Sequence, residues 1–241
     1  MSAASDRFEK DVANAINSIP TLKAEQGRDV KFSDVKVTKG STTTWVEVKM
    51  SHSDNLSNPR CFYMKGKWQT TYTTPAAKQA VDLLNKSPQA AKFIKDIAKF
   101  SGIPEKDIII ATNKSQLKMP GCVPLQVMKS YFNQPGVNRY IANQQNFDIG
   151  KLVTEHYLKG KAAPAHYLQA GDDFYMIGTQ NPFGLDRKIP KLAGTGDFKV
   201  RVSTRSEFYE VQAEIKIKEF KPKTSPFSVL PNSRKKNPFI V

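Results

Sequence analysis

The run Thr-Thr-Thr-Trp-Val-Glu-Val-Lys-Met at residues 42–50 constrains the fold more than any other stretch. It is rich in β-branched and aromatic residues, which suits a strand. Side chains alternate across a strand, so Val46, Val48 and Met50 share one face and Trp45, Glu47 and Lys49 the other. The first face suits a core. The second aims a carboxylate and an ammonium the same way. A second β-like run covers residues 30–37, and Lys39-Gly40-Ser41 between the two runs has the character of a hairpin turn. Asp34 lies on that earlier run, so pairing through the turn would set it beside Glu47.

The flanking segments predict an α/β architecture. Residues 6–19 carry Phe8, Val12, Ala15, Ile16 and Ile19 at helical spacing, and Pro20 stops the helix. Residues 51–74 read as an irregular polar stretch dotted with aromatics. A long helical pattern spans residues 75–100, with Pro75 in its first turn and Ser87-Pro88 breaking it in two. Residues 107–112 form a short apolar run of the kind buried on both faces of a sheet. Further on, residues 123–132, 137–143 and 147–159 are expected helices. Residues 165–168, 173–177, 198–203 and 207–218 are expected strands. The last twenty residues, with Arg234-Lys235-Lys236, look like an extended or disordered tail.

Charge narrows the partner. Lys and Arg number 37 against 22 Asp and Glu, a formal net charge of +15. Such self-repulsion is naturally offset by a polyanion, and nucleic acid gains further from counterion release. No stretch approaches the length of a membrane span, and the first residues lack the apolar core of a secretory signal. A soluble, cytoplasmic protein without membrane contact is therefore expected. Cys61 and Cys122 stand apart from each other and from any His cluster, which argues against structural zinc. Without a Ser-His-Asp or Cys-His pattern, or a Gly-x-x-x-x-Gly-Lys loop, covalent catalysis and NTP-driven work lack support.

The acidic pair and the amine suit phosphodiester hydrolysis. Developing negative charge there is met by a divalent ion, and Mg²⁺ takes hard oxygen ligands while keeping several waters. Asp34 and Glu47 would supply carboxylates and the backbone carbonyl of Val48 a third ligand. Lys49 would orient the water or steady the phosphate. The plain alternative is a solvent-facing Glu–Lys pair on an edge strand.

Asp34 followed by Glu47-Val48-Lys49 at the end of an apolar strand resembles the PD-(D/E)XK nuclease superfamily, the restriction-endonuclease-like fold. The resemblance covers about residues 5–115. It implies an αβββαβ core with a mixed sheet, whose last helix and strand would be those beginning at Pro75 and Ile108. Phe8-Glu9 resembles the acidic residue that many members carry on their first helix, making Glu9 a further candidate ligand. Ser33 stands where the name-giving proline is expected. The family implies Mg²⁺ as cofactor, with Mn²⁺ able to substitute, and 5′-phosphate and 3′-hydroxyl ends. It also implies a homodimer on duplex DNA. Glu214-Ile215-Lys216 with Asp197 upstream repeats the motif, but on a strand whose alternation suits an ordinary charged outer face.

The expected layout is thus a nuclease core at residues 1–120, an α+β extension at 121–220 that binds or selects DNA, and a basic tail at 221–241. Candidate DNA contacts are Arg60, Lys65 and Lys67 among the aromatics Phe62, Tyr63, Trp68 and Tyr72, and Lys199, Arg201 and Arg205 on a β ribbon. The aromatics could equally pack inward. His52 could approach a phosphate, whereas His156 and His166 read as structural. A restriction-type endonuclease leads this reading. A Holliday-junction resolvase, a degradative or repair nuclease, and a non-catalytic DNA-binding protein are its rivals.

Overall fold

The computed structural model describes residues 3–29, 32–52 and 55–240. In chain order the elements are α1 (Ala3–Asn17), β1 (Lys23–Gln26), β2 (Val35–Lys39), β3 (Thr42–Lys49), β4 (Asn55–Ser57), β5 (Arg60–Met64) and β6 (Lys67–Gln69). Then come α2 (Pro75–Lys86), α3 (Pro88–Ser101), α4 (Leu125–Phe132), β7 (Tyr140–Asp148) and α5 (Gly150–Lys159). The last are β8 (Ala165–Ala170), β9 (Asp173–Met176), β10 (Ala193–Thr204) and β11 (Tyr209–Lys221). The protein is mixed α/β, as expected, with five helices and two sheets among the described residues.

Two compact units interleave along the chain. One comprises Met1–Asp54, Asp148–Gly196 and Ile217–Val241, the other Asn55–Phe147 and Asp197–Lys216. This corrects the expected division at residues 120 and 220. The sequence offers no composition shift at residue 54, 148, 196 or 217, because β7, β10 and β11 or their flanks simply run on from one unit into the other.

The first unit holds a five-stranded sheet in the order β1-β2-β3-β8-β9. The meander β1-β2-β3 is antiparallel, with Val35 opposite Val46 and Lys39 opposite Thr42. Gly40 turns the hairpin at φ 58°, a left-handed backbone that glycine takes without strain. β8 lies parallel to β3, from Trp45 opposite Ala165 to Lys49 opposite Ala170, and β9 returns antiparallel. A parallel pair needs a crossover, and α5 is the helix that precedes β8. On one face Val12 and Ile16 of α1 pack over Val35, Val37, Val46 and Val48. Phe227, Val229 and Phe239 close the same core. The C-terminal segment is therefore not a loose tail: Lys235 and Lys236 are ion-paired to Asp173 and Asp186.

The second unit is built on the sheet β6-β5-β11-β10-β7, with β4 also on β11. Here α2 and α3 divide at Ser87 as the proline predicts. Ser87 ends one helix and caps the next, its Oγ accepting from Ala90 N at 3.2 Å. Residues 107–112 are buried but join the fold by isolated bridges, Ile110 to Tyr63 and Ile109 to Cys122. The α2 helix and the 108–111 run thus belong to the second unit, which corrects their assignment to the expected core. Residues 137–143 are not helical either. Pro135-Gly136 forms a turn and β7 follows from Tyr140; the sequence hid it because this polar edge strand lacks the alternation that marks a half-buried one.

Candidate active site

Asp34 sits at the bend immediately before β2, next to the Val35–Val46 pair, so it flanks Glu47 across the hairpin. Its Oδ2 accepts from the backbone N–H of Val48 at 2.7 Å. β2 contains no residue before Val35 to pair with β3 at this point. Asp34 takes that place with a side chain instead of a backbone carbonyl. A strand residue's N–H and C=O point to the same flank, so the Val48 carbonyl faces the Asp34 side as well. Gly27 makes the arrangement possible. Its N–H donates to Asp34 O at 2.6 Å, and a Cβ there would stand 2.6 Å from Ser33 O and 2.9 Å from the Trp45 ring.

Glu47 and Lys49 point the same way, as the alternation requires, and Lys49 Nζ lies 2.6 Å from Glu47 Oε1. The other oxygen, Oε2, is buried without a hydrogen bond of good geometry, although the Ser33 and Tyr157 hydroxyls lie close enough to the carboxylate to act on it. Burial alone would raise the Glu47 carboxyl, but the ammonium groups of Lys49 and Lys161 outweigh it and hold it below its usual value. Burial likewise works against a charged Lys49, yet Glu47, Tyr157 and Asp34 keep its ammonium well above the ordinary range. Asp34 goes the other way. Burial and the neighbouring Glu47 charge push it up to about 7, against the pull of Lys49 and the Val48 N–H.

Glu9 is buried on α1, its two oxygens held by Ser5 Oγ at 3.2 Å and Gln26 Nε2 at 2.9 Å. Its charge adds to the rise at Asp34. The α5 side contributes groups that sequence reasoning did not place here. Tyr157 is buried, and burial and the Glu47 charge drive its phenol well above the usual range. Lys161, just past α5, donates to Phe32 O at 3.3 Å and faces the Glu47 charge. Burial and Lys161 push His156 down to about 4, so it stands neutral at physiological pH. Tyr157 falls four residues after Val153 on an ordinary apolar helix face, so no local signal marks it.

The donor types suit a hard divalent ion: the carboxylates of Asp34 and Glu47 and the Val48 backbone carbonyl on the Asp34 flank. Among the described residues no group of three or more His, Cys, Asp or Glu is placed to hold an ion. Mg²⁺ needs only one or two carboxylates when water completes its shell. The repeated motif has no such form. Glu214 ion-pairs with Arg201 at 3.2 Å, and Asp197 accepts from Asn146 N.

The remaining candidates lie in the second unit. Arg60 and Arg205 both pair with the buried Glu210, Arg60 at 3.2 Å. Lys65 and Lys67 are exposed around the β5–β6 turn, and Lys199 is half-buried on β10. Phe62, Tyr63 and Trp68 are buried, so their rings serve the core rather than stacking on bases; Tyr72 is exposed. His166 is structural, its nitrogens engaged by Thr44 at 2.6 Å and Gln180 at 2.9 Å. Both cysteines are free and buried.

Fold and site together define a class: a helix-flanked mixed sheet with a carboxylate and a lysine at the end of one strand and a second carboxylate at the start of its neighbour. No family model matches the chain, and no curated protein and no solved structure is similar to it at a significant level. No helix among the described residues is long and apolar enough to cross a membrane.

Proposed function

We propose that the chain is a Mg²⁺-dependent DNA endonuclease with Asp34, Glu47 and Lys49 at its centre. The observation that carries this reading is Glu47: a buried carboxylate paired with Lys49 and faced by Lys161, beside Asp34, whose own carboxyl its charge pushes up. An ordinary surface Glu–Lys pair would be solvated on both oxygens. The element order also supports it. α1, β1, β2, β3, α5 and β8 run helix, three strands, helix, strand, with β8 parallel to β3. This order agrees with the αβββαβ order that the resemblance calls for, with residues 55–147 lying between β3 and α5.

A bound Mg²⁺ would supply charge stabilisation and a more acidic water. Asp34, Glu47 and the Val48 carbonyl would hold it, and Glu9 lies behind them, its oxygens already engaged by Ser5 and Gln26. Lys49 stays an ammonium, so it acts as a hydrogen-bond donor to the attacking water or a phosphate oxygen, not as a base. Tyr157 and Lys161 line the α5 side of Glu47 and fix its carboxylate. The basic balance of the chain supports DNA as the substrate.

The test is cleavage of plasmid, linear duplex, branched and single-stranded DNA with and without Mg²⁺ or Mn²⁺. Discrete fragments are expected from duplex DNA only with metal. Glu47→Ala and Lys49→Ala should each lower cleavage by at least about 100-fold with DNA affinity kept. Metal-independent binding without any cutting by the parent protein would sink the proposal.

A further inference from the structure

We infer that the cavity beside the β8–β9 turn is a subsite for a backbone phosphate of the nucleic-acid strand, with His52 and Lys223 as its contacting groups. The inference takes the kind of ligand from the nuclease reading and the place from the structure. The cavity measures about 400 Å³ and is lined by His52, Lys218, Glu219, Phe220, Lys223 and Thr224.

His52 is built into this wall. Its Nε2 lies 3.2 Å from Asp173 Oδ2, and its ring meets Phe220 edge-on at 4.5 Å. Asp173 is itself buried and accepts from Lys235 Nζ at 2.6 Å and Ser225 N at 2.5 Å. A carboxylate so held fixes the imidazole's orientation, as carboxylates behind functional histidines do. Tyr175 O–H donates to Lys223 O at 3.0 Å, which anchors the backbone of the second contact while its side chain stays exposed. Asp173 is held through its other oxygen by Lys235 and Ser225 of the C-terminal segment, so the carboxylate that faces His52 is rigid in its own right. Glu219 at the rim opposes an anion, but lysines flank the cavity on both β11 and the segment after it.

Register places the subsite relative to the reacting groups. Lys49 is opposite Ala170, and Ala170 opposite Asp173, so Lys49 and Asp173 share one sheet face two strands apart. Two strand spacings are roughly 10 Å. That is beyond hydrogen-bond reach of the scissile phosphate, so His52 is a binding residue, not a catalytic one.

The experiment is fluorescence anisotropy of a labelled DNA duplex with the full chain in EDTA, across a salt series, beside cleavage in Mg²⁺. Lys223→Ala is expected to weaken binding about three- to tenfold and to make the salt slope shallower by about 1, and His52→Ala to weaken binding by a similar factor. The exposed control Lys39→Ala should leave both unchanged. Cleavage at saturating DNA should persist in all three. Parent-like affinity and slope in Lys223→Ala, a surface change that leaves the fold intact, overturn the subsite even if the parent cuts DNA. Conversely, weakened binding in a protein that never cuts DNA sustains the subsite and overturns the nuclease reading.

Discussion

Asp34 couples the site to pH through a proton. In the unfolded chain it ionises near 3.8, while burial and Glu47 raise it to about 7 in the fold. Between those values the folded protein keeps a proton that the unfolded chain has lost. Stability therefore falls as pH rises through this window, and the loss is complete above about 7. In EDTA, Asp34→Asn should melt above the parent at pH 8, by about 4–8 °C for about 2 kcal/mol. The gap should narrow towards pH 5; an equal gap at both pH values in thermal melts would refute the assignment. An ion must displace that proton, so Mn²⁺ affinity by calorimetry should drop about tenfold per pH unit below 7. Gly27 is the silent partner of Asp34. Gly27→Ala should displace the Ser33–Asp34 backbone and cost more than tenfold in cleavage, while circular dichroism stays close to the parent's.

At the scale of elements, β3 was legible because it is almost wholly β-branched or aromatic up to Val46, and the alternation of Val46 and Val48 with Glu47 and Lys49 gave the last two their shared face. The α2–α3 break was legible because proline and serine act locally. Ser87→Ala removes a cap and a boundary together, and should cost about 1 kcal/mol by denaturant unfolding. β1 was missed because Lys23-Ala24-Glu25-Gln26 buries only Ala24. β5 and β6 were missed because their aromatics looked like a binding loop. The largest error concerned which helix and strand complete the first sheet. Sequence adjacency favoured α2 and the 108–111 run, but the partner of β3 is β8, more than a hundred residues away. The C-terminal prolines hid a buried segment. Phe239 packs within 5.7 Å of Phe174 and 6.1 Å of Phe183, ring to ring. Phe239→Ala should cost about 3–5 kcal/mol in urea unfolding, where a disordered tail would cost nothing.

For the whole molecule, a net charge of +15 predicts DNA affinity that falls log-linearly with salt. Each phosphate neutralised steepens that slope by about 0.9, so the slope itself counts contacts. The way the chain threads its two units has a consequence for its birth on the ribosome. β3, with Glu47 and Lys49, emerges early, but the helix that covers those side chains and the strand that flanks them are made only after residues 55–147. The last core residues, Phe227, Val229 and Phe239, come later still. Nascent and prematurely terminated chains therefore carry the acidic pair and the lysine without the walls that would bring them to a working geometry. Maturation of the centre is deferred until the chain has been made past residue 239, a built-in delay for a protein whose proposed target is the cell's own kind of polymer.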